Sequence, residues 1–514
     1  MREVVNLNLI ISKLPLVFIL CFGAFLIFFG INYDLPFIFH PDEPTNFEVS
    51  RRMFSLGTLN PLFFSYPSLS FYANFLAIGP YYLFGKLSGT LNTTYDIQKL
   101  VVLGMGIVKT NQPNLILLTR SISACFGIGC IFLIYLISRR LLPNSPLRYF
   151  SAFAAASCLS IVSLSKTITP DIFAAFFVLL TVYFSLFILK ENARKWYILA
   201  GLAIGFAASS KYNVALVAVV APSAHFLRLG WRGWKDPNLF IAAAISFLGF
   251  LLTTPYAYKE RDLFLFHLES EGAHYSTGHL GMEGDSILWY ISNLWKNLSL
   301  LLPLALAQIS IGIFKKNKET ILVSVFVAVY FGFICTFNVR NERTILPIVP
   351  LLLILAGVSV HSISEFVEKR VLKNRFDITG SHLFPFILIL PLLMDSISFD
   401  RKLFHPKARN EARIWIENEL PEGTKIAIEN YSPFVDPQKY NISAIGYAID
   451  HPPDWYVNQG FDVLILSKIS FGRFYADPEK YSGKIEKYES LIRRLHLQKA
   501  FFDEDEEVRV YRIK

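Results

Sequence analysis

Long apolar runs, separated by short loops rich in lysine and arginine, limit most strongly what this chain can fold into. A helix needs about 20 apolar residues to cross a bilayer, and we expect eleven segments of this chain to do so. In a bilayer core only helices and closed barrels satisfy every backbone hydrogen bond, so the pattern predicts a polytopic α-helical membrane protein. The predicted spans are residues 13–32, 115–137, 148–167, 171–189, 196–211, 212–228, 238–256, 287–313, 320–338, 344–362 and 381–398.

The net charge of +9 raises the question of a nucleic-acid partner. Residues 401–514 contain 18 basic and 18 acidic side chains, so the whole excess lies in residues 1–400, among the apolar runs. Basic residues concentrated in short loops are what the positive-inside rule produces in membrane proteins. Only 17% of the residues are charged, against about 25% in soluble proteins. We therefore expect a membrane-embedded protein with no nucleic-acid partner.

The basic loops also predict an orientation. With a cytoplasmic N-terminus, every short cytoplasmic loop carries a basic cluster and the C-terminal part lies outside. The segment Tyr66–Leu87 is long enough to span, but a crossing there would turn every later basic loop outward. We expect it to be an interfacial or re-entrant helix within one outer loop, residues 32–114. The basic clusters are Arg139/Arg140/Arg148, Lys190/Arg194/Lys195, Arg228/Arg232/Lys235, Lys315/Lys316/Lys318 and Lys369/Arg370/Lys373/Arg375.

The composition changes sharply after residue 400, where apolar runs give way to short elements separated by turn residues. We expect a membrane domain over residues 1–400 and a small extracytoplasmic α/β domain over residues 401–514, which is long enough to form its own core. Its predicted helices are Pro406–Leu420 and Pro478–Leu495, and its predicted strands are Lys425–Glu429, Phe461–Leu466 and Val508–Ile513.

Two adjacent carboxylates, Asp42 and Glu43, follow the first predicted span. Pro41 and Pro44 flank them and restrict the residue before each proline to extended geometry. A carboxylate at a membrane edge needs a cationic partner or a water-filled cavity, which makes the pair a candidate functional site. The alternative is that both acids cap an amphipathic helix, Phe47–Leu56, since acids favour helix N-termini.

Further polar residues are predicted on the same outer side: Asp171 in a short turn, Lys211 at the end of a glycine-rich span, and Arg340 and Arg343 before another span. Taken singly, Asp171 is expected to cap a helix, Lys211 to snorkel and the arginines to bind lipid headgroups. Taken together, cations at span ends can hold a phosphate whose lipid tail lies in the bilayer. A carboxylate beside that phosphate can accept a proton from an incoming hydroxyl.

The predicted outer loop 257–286 is rich in histidine, glutamate and glycine. A metal site is conceivable, but the 7- and 5-residue steps between the histidines fit no standard zinc spacing. Four glycines favour a flexible loop that covers a substrate instead. We expect no required metal. The histidines are His267, His274 and His279, and the acids beside them are Glu269, Glu271 and Glu283.

An ordered series of motifs runs through roughly residues 10–365: Asp42-Glu43, Tyr66-Pro67-Ser68-Leu69, Arg120, Pro170-Asp171, a glycine-rich span ending at Lys211, and the run from Arg340 to Pro350. This series resembles the GT-C superfamily of membrane glycosyltransferases. Within the superfamily it is most similar to the group of protein O-mannosyltransferases and aminoarabinose transferases, which use polyprenyl-phosphate sugars. An ordered series is far more specific than any single motif.

The resemblance implies a hexosyl- or pentosyltransferase of the plasma (inner) membrane that inverts the anomeric carbon. Asp42 would be the base, and Glu43 and Asp171 would position the acceptor or support the base. Lys211 with Arg340 or Arg343 would bind the donor phosphate. Some relatives have tyrosine where this chain has Arg343, so the choice between the two arginines stays open. The implied co-substrate is a polyprenyl-phosphate sugar, and the acceptor a protein, lipid or glycan; no cofactor is firmly implied, and a divalent metal is possible without being required.

Two other classes of function are compatible with parts of the sequence. A transporter or lipid flippase would place acids or bases in the middle of its spans, whereas the charged residues of this chain cluster at one face. A binding scaffold would work through residues 401–514, which are neutral and contain no evident site. The glycosyltransferase hypothesis explains more of the pattern than either.

Overall fold

The chain folds into a largely helical structure with two small sheets. The computed structural model describes residues 13–278, 280–281, 284–368 and 384–513. Its α-helices are Leu14–Phe28, Glu43–Leu56, Leu69–Leu87, Pro113–Leu141, Phe150–Ala156, Leu159–Leu164, Asp171–Ile188, Arg194–Ser210, Val220–Leu229, Pro237–Thr253, Tyr256–Lys259, Arg261–Thr277, Ser286–Leu298, Leu301–Phe314, Lys318–Ile334, Val349–Val367, Leu390–Lys402, Ala408–Glu419, Pro453–Asn458, Lys468–Phe471 and Ser482–Arg493.

Four helical segments in the described residues are long and apolar enough to cross a membrane. A fifth results if the bent pair Ser286–Leu298 and Leu301–Phe314 counts as one span. The helices Leu14–Phe28 and Pro237–Thr253 are apolar but shorter. The chain is therefore multi-pass, and the count of eleven spans stays a prediction. The four segments are Pro113–Leu141, Asp171–Ile188, Tyr212–Lys235 and Val349–Val367.

The predicted span 287–313 is not straight. Its two helices meet at 110°, and the first of them, Ser286–Leu298, leaves one face of large apolar side chains exposed: Ile287, Leu288, Ile291 and Trp295. Such a one-sided helix suits the plane of a membrane interface. The predicted span 148–167 is also broken, into Phe150–Ala156 and Leu159–Leu164. The last predicted basic cluster, residues 369–375, lies outside the described residues.

The helix Arg194–Ser210 crosses Pro237–Thr253 at very short range. A Cβ on Gly205 would lie 2.4 Å from the Ser246 carbonyl oxygen and 2.8 Å from the Cα of Gly249. Only glycine permits this backbone approach, a common device in membrane helix packing. The crossing fixes the end of the first helix, and Lys211 follows directly after that end.

Residues 32–114, the predicted outer loop, contain two packed helices and a small sheet. The helices Glu43–Leu56 and Leu69–Leu87 pack against each other. Three short strands, β1 (Phe37–Ile38), β2 (Val101–Gly104) and β3 (Ile107–Lys109), form an antiparallel sheet in the order β1-β3-β2. Leu69–Leu87 is not among the four span candidates, and its position at the interface stays a prediction.

The C-terminal residues form a five-stranded mixed sheet in the order β5-β4-β6-β8-β7. Strands β5, β4 and β6 are parallel, and β8 pairs antiparallel with β6 and β7. Three of the strands and both helices of the sequence prediction coincide with observed elements to within a few residues; β5 and β7 were not predicted. The strands are β4 (Lys425–Glu429), β5 (Asn441–Ile445), β6 (Val463–Ser467), β7 (Leu495–Phe502) and β8 (Glu507–Ile513).

The two sheets share a hydrophobic core, in which Ile107 of β3 packs with Ala408 and Ala412. An ion pair between Lys407 and Asp34, 2.6 Å apart, also joins the C-terminal part to the loop 32–114. The C-terminal sheet is thus docked on the loop that carries the Asp42-Glu43 pair. The boundary at residue 401 stays a prediction.

Candidate functional site

The acid pair opens a helix without capping it. The helix begins at Glu43, with Asp42 at the N-cap position, but the Asp42 side chain makes no capping hydrogen bond. The Glu43 side chain is fully buried and turns towards another helix. The capping alternative therefore accounts for neither carboxylate, and the two adjacent acids occupy different environments.

Glu43 is clamped by Arg120, from the helix Pro113–Leu141. Two parallel hydrogen bonds join them, from Nε to Oε1 at 3.0 Å and from Nη2 to Oε2 at 2.8 Å. The backbone N–H of Ile168 donates to the same carboxylate at 2.9 Å. Burial alone would raise the pKa of Glu43, but the charge and hydrogen bonds of Arg120 hold that pKa below its usual range. This bidentate geometry fixes the start of the helix and so the direction in which Asp42 points.

The other predicted charges form one connected row. Lys211 Nζ lies 2.7 Å from Asp171 Oδ1, Arg343 Nη1 lies 4.0 Å from Asp171 Oδ2, and the same Arg343 nitrogen is paired with Asp42. We call this row, Lys211–Asp171–Arg343–Asp42, the charge row. Asp171 and Lys211 are almost fully buried, whereas 24% of the Asp42 side chain is exposed. The row therefore ends on the carboxylate that an incoming molecule can reach.

Four separate parts of the chain build the charge row. Asp171 is the first residue of a helix, Lys211 follows the end of Arg194–Ser210, and Arg343 lies in the 3₁₀ turn Glu342–Ile345. Asp171 does open its helix, as the capping hypothesis requires, but its carboxylate is bound to Lys211. Lys211 is buried rather than snorkelling to the surface. All four residues were predicted as site candidates, and the structure brings them together.

Arg340 lies apart from the charge row. It is buried, and its Nη1 donates to the Asp285 carbonyl oxygen at 3.5 Å. Its Nε has no hydrogen-bond partner in the described part of the chain. Of the two predicted arginines, Arg343 is the one in contact with the acids.

A cavity of about 470 Å³ adjoins the charge row. Among the described residues that line it, Lys211 and Glu271 are the only charged ones. Burial raises the pKa of the Glu271 carboxyl above its usual range. Tyr66 also lines the cavity, and burial followed by the charge of Asp42 raises the pKa of its hydroxyl. The cavity and the charge row thus meet at Lys211, and Tyr66 lines the cavity beside them.

The histidine-rich segment is mainly a helix, Arg261–Thr277, rather than a loop. His267 Nδ1 accepts a hydrogen bond from the Phe64 N–H at 2.7 Å, which ties this helix to the outer loop. His274 packs edge-to-face with the neighbouring Tyr275 ring, and His279 lies outside the described residues. The described residues contain no group of three or more histidine, cysteine or acidic side chains placed to hold a metal ion.

The sequence prediction missed two groups at the site. Arg120 was matched only as a motif residue, and its pairing with Glu43 was not foreseen. Glu271 was considered only as part of a metal site. An arginine inside an apolar run is itself a signal, because a charge within the bilayer requires a partner. Nothing in the local sequence distinguishes Glu271 from Glu269, which is exposed on the same helix.

Comparisons with known proteins show what the fold of this chain is similar to. Residues 112–256, which include Arg120, Asp171 and Lys211, match the family model described as dolichyl-phosphate-mannose-protein mannosyltransferase. No curated protein sequence matches the chain significantly. ArnT from Cupriavidus metallidurans, in a crystal structure bound to undecaprenyl phosphate, superposes with a TM-score of 0.55. Its sequence is 14% identical, and the match covers 97% of this chain and 98% of ArnT.

The chain has the GT-C fold. A second solved structure of this fold, the archaeal oligosaccharyltransferase AglB from Archaeoglobus fulgidus in complex with an inhibitory peptide and a dolichol-phosphate, also has a TM-score of 0.55. It is 11% identical, and the match covers 94% of this chain and 72% of AglB. The predicted resemblance to GT-C proteins is therefore confirmed at the level of the fold, together with the match of residues 112–256 to the mannosyltransferase family model.

Proposed function

We propose that this protein transfers a sugar from a polyprenyl-phosphate carrier to a hydroxyl group of a protein, lipid or glycan acceptor at the outer face of the membrane. The observation that carries the proposal is the charge row beside a cavity: two cations and two carboxylates, gathered from distant parts of the chain, next to a space large enough for a substrate group. Structural ion pairs alone do not need an adjoining cavity.

The donor phosphate would bind to Lys211 and Arg343. A polyprenyl-phosphate sugar is a phosphodiester with one negative charge, and the polyprenyl phosphate that leaves carries about −1.5 to −2 at neutral pH. Cations that are already in place stabilise this growing charge without reorganisation in the transition state. Arg343 can reach two phosphate oxygens with its planar fork, whereas Lys211 offers a point charge.

Asp42 would act as the general base. As the acceptor oxygen attacks the anomeric carbon, its proton passes to the Asp42 carboxylate. The bond between the anomeric carbon and the phosphate oxygen breaks, and its electron pair leaves with the phosphate. Attack from the side opposite the phosphate inverts the anomeric centre. Glu43, held by Arg120, would fix the position of Asp42, and Asp171 would hold Lys211 and Arg343 together.

The pairing of Arg343 with Asp42 links donor binding to the base. Arg343 is paired with the Asp42 carboxylate. A bound phosphate would compete for the guanidinium and leave Asp42 free to accept a proton. The order of events would then be donor first, acceptor second.

The proposed reaction is tested by incubating the purified protein with a panel of polyprenyl-phosphate sugars and simple acceptors. We expect release of polyprenyl phosphate from at least one donor, and a transferred sugar of opposite anomeric configuration, which NMR of the product reports. Retention of configuration would exclude the single displacement proposed above.

Lys211→Ala should weaken donor binding by about ten- to a hundredfold, since a charge-assisted contact contributes roughly 1.5–3 kcal/mol. Titration of the detergent-solubilised protein with polyprenyl phosphate measures the change. Lys190→Ala is the matched control. Lys190 is exposed and follows the C-terminal end of the helix Asp171–Ile188, whereas Asp171, the partner of Lys211, lies at its N-terminal end. Equal affinities of Lys211→Ala and the control would show that Lys211 does not hold the phosphate.

The orientation belongs to the same proposal: a plasma-membrane protein with a cytoplasmic N-terminus and an extracytoplasmic C-terminal domain. Single cysteines at Asn92 and Asn441 should react with a membrane-impermeant reagent added to intact cells. A cysteine at Asn144 should react only after the cells are opened. Outside labelling at Asn144 would place the charge row on the wrong face.

A further inference from the structure

The helix Arg261–Thr277 contributes one carboxylate to the cavity. Glu271 lines the same cavity as Tyr66 and Lys211. The ordinary explanation is that Glu271 is a half-buried acid on a helix that packs against residues 64–67. A carboxylate offers about four acceptor positions, which a ligand in the cavity can use.

Lys211 and Glu271, the two charged residues that line the cavity in the described part of the chain, differ in their partners. Lys211 is bound to Asp171 at 2.7 Å and belongs to the charge row. Glu271 is the other charged lining group among the described residues, and no described ion pair includes it. A molecule whose phosphate rests on Lys211 and Arg343 therefore places another of its groups near the Glu271 carboxylate, which shares the cavity with Lys211.

We propose that Glu271 contacts the donor sugar and restricts the enzyme to sugars without a negative charge. This inference rests on the proposed function, because it assumes that the phosphate binds at the charge row. Sugar hydroxyls or an ammonium group donate to the carboxylate. A uronic acid brings a second carboxylate to the same wall and is rejected.

The discrimination follows from repulsion as well as attraction. Like charges placed together in a half-buried site repel each other, which is one of the ways in which binding sites exclude a wrong ligand. Neutral sugars gain a hydrogen bond, and amino sugars gain a charge-assisted one, which is the stronger of the two. The expected order of use is amino sugar, then neutral sugar, with uronic acid last by at least about tenfold.

The experiment compares three polyprenyl-phosphate donors, carrying a neutral hexose, an amino sugar and a hexuronic acid, in wild type, Glu271→Gln and Glu269→Gln. The readout is the ratio of kcat/KM between donors, which a loss of stability does not change. We expect Glu271→Gln to bring the uronic acid to within a few-fold of the neutral hexose and to lose the preference for the amino sugar. Glu269→Gln removes the same charge from an exposed site of the same helix and should keep the wild-type ratios.

Two outcomes separate this inference from the proposed function. If the wild type releases polyprenyl phosphate from none of the three donors, the glycosyl-transfer proposal itself fails. If the wild type turns over the uronic acid as well as the neutral hexose, or if Glu271→Gln keeps the wild-type ratios, transfer stands and the role of Glu271 is wrong.

Discussion

Asp42→Asn should lower transfer by about 10²- to 10⁴-fold, the usual effect of removing a general base, while the affinity for polyprenyl phosphate changes little. The amide keeps the shape of the side chain but cannot accept the proton of the acceptor hydroxyl. The structure favours this role because the Asp42 side chain makes no capping hydrogen bond and is partly exposed at the end of the charge row. Turnover and lipid-phosphate binding should be measured separately on the same preparation.

The control for this variant is Asp262→Asn, an exposed carboxylate in the first turn of another helix. It also removes one negative charge and should leave turnover within about twofold. If Asp42→Asn also turns over within a few-fold of the wild type, Asp42 is not the base. Glu43 is a poor replacement because both of its oxygens are bound by Arg120, so Asp171 would have to be tested next.

Arg120→Leu should destabilise the protein by about 3–5 kcal/mol, because it leaves the Glu43 carboxylate buried without its cation. The Arg120 side chain also donates to the backbone carbonyl oxygens of Ile31 and Tyr33, at 2.9 and 3.0 Å, and lies over the Tyr33 ring. Its loss should loosen the chain between the first helix and the acid pair. Thermal unfolding in detergent, followed by the fraction that stays monodisperse, measures the effect.

The double variant Arg120→Leu/Glu43→Leu separates charge from packing. Replacing a complete buried ion pair by apolar side chains is often nearly neutral, whereas removing one partner is costly. We therefore expect the double variant to be more stable than Arg120→Leu, yet low in activity because Asp42 is no longer held in place. A double variant no more stable than the single one would show that the backbone contacts of Arg120, and not its charge, maintain this region.

The sequence predicted the class of fold because bilayer physics acts locally: apolar length and basic loops can be read residue by residue. Helix ends could not be read in this way. The break at Cys158 and the 110° bend after Leu298 depend on which helices pack together, not on hydropathy. In the C-terminal part, β5 was missed because Asn441–Ile445 has few strongly apolar residues, and β7 because most of its residues are exposed.

For the candidate site, the sequence predicted the residues but not the contacts between them. The sequence identifies four residues of the site because each is a charged residue at the end of an apolar run, where it needs an ionic partner or a water-filled cavity. They are Asp42, Asp171, Lys211 and Arg343. Which of these residues contact each other could not be predicted, because the contacts join distant parts of the chain. Asp42 and Arg343, for example, are paired although they lie 301 positions apart. The flexible loop 257–286 was predicted from its four glycines. One of them, Gly272, lies inside the helix Arg261–Thr277.

Transfer from a lipid-phosphate donor at the outer face can be measured in proteoliposomes that contain the donor only in the outer leaflet. The protein is inserted with its C-terminal domain outward, and both polyprenyl-phosphate release and movement of intact donor to the inner leaflet are measured. We expect release of polyprenyl phosphate with sugar on an external acceptor, and no movement of intact donor between leaflets above that of protein-free vesicles. Movement of intact donor without release would contradict glycosyl transfer and identify a flippase instead.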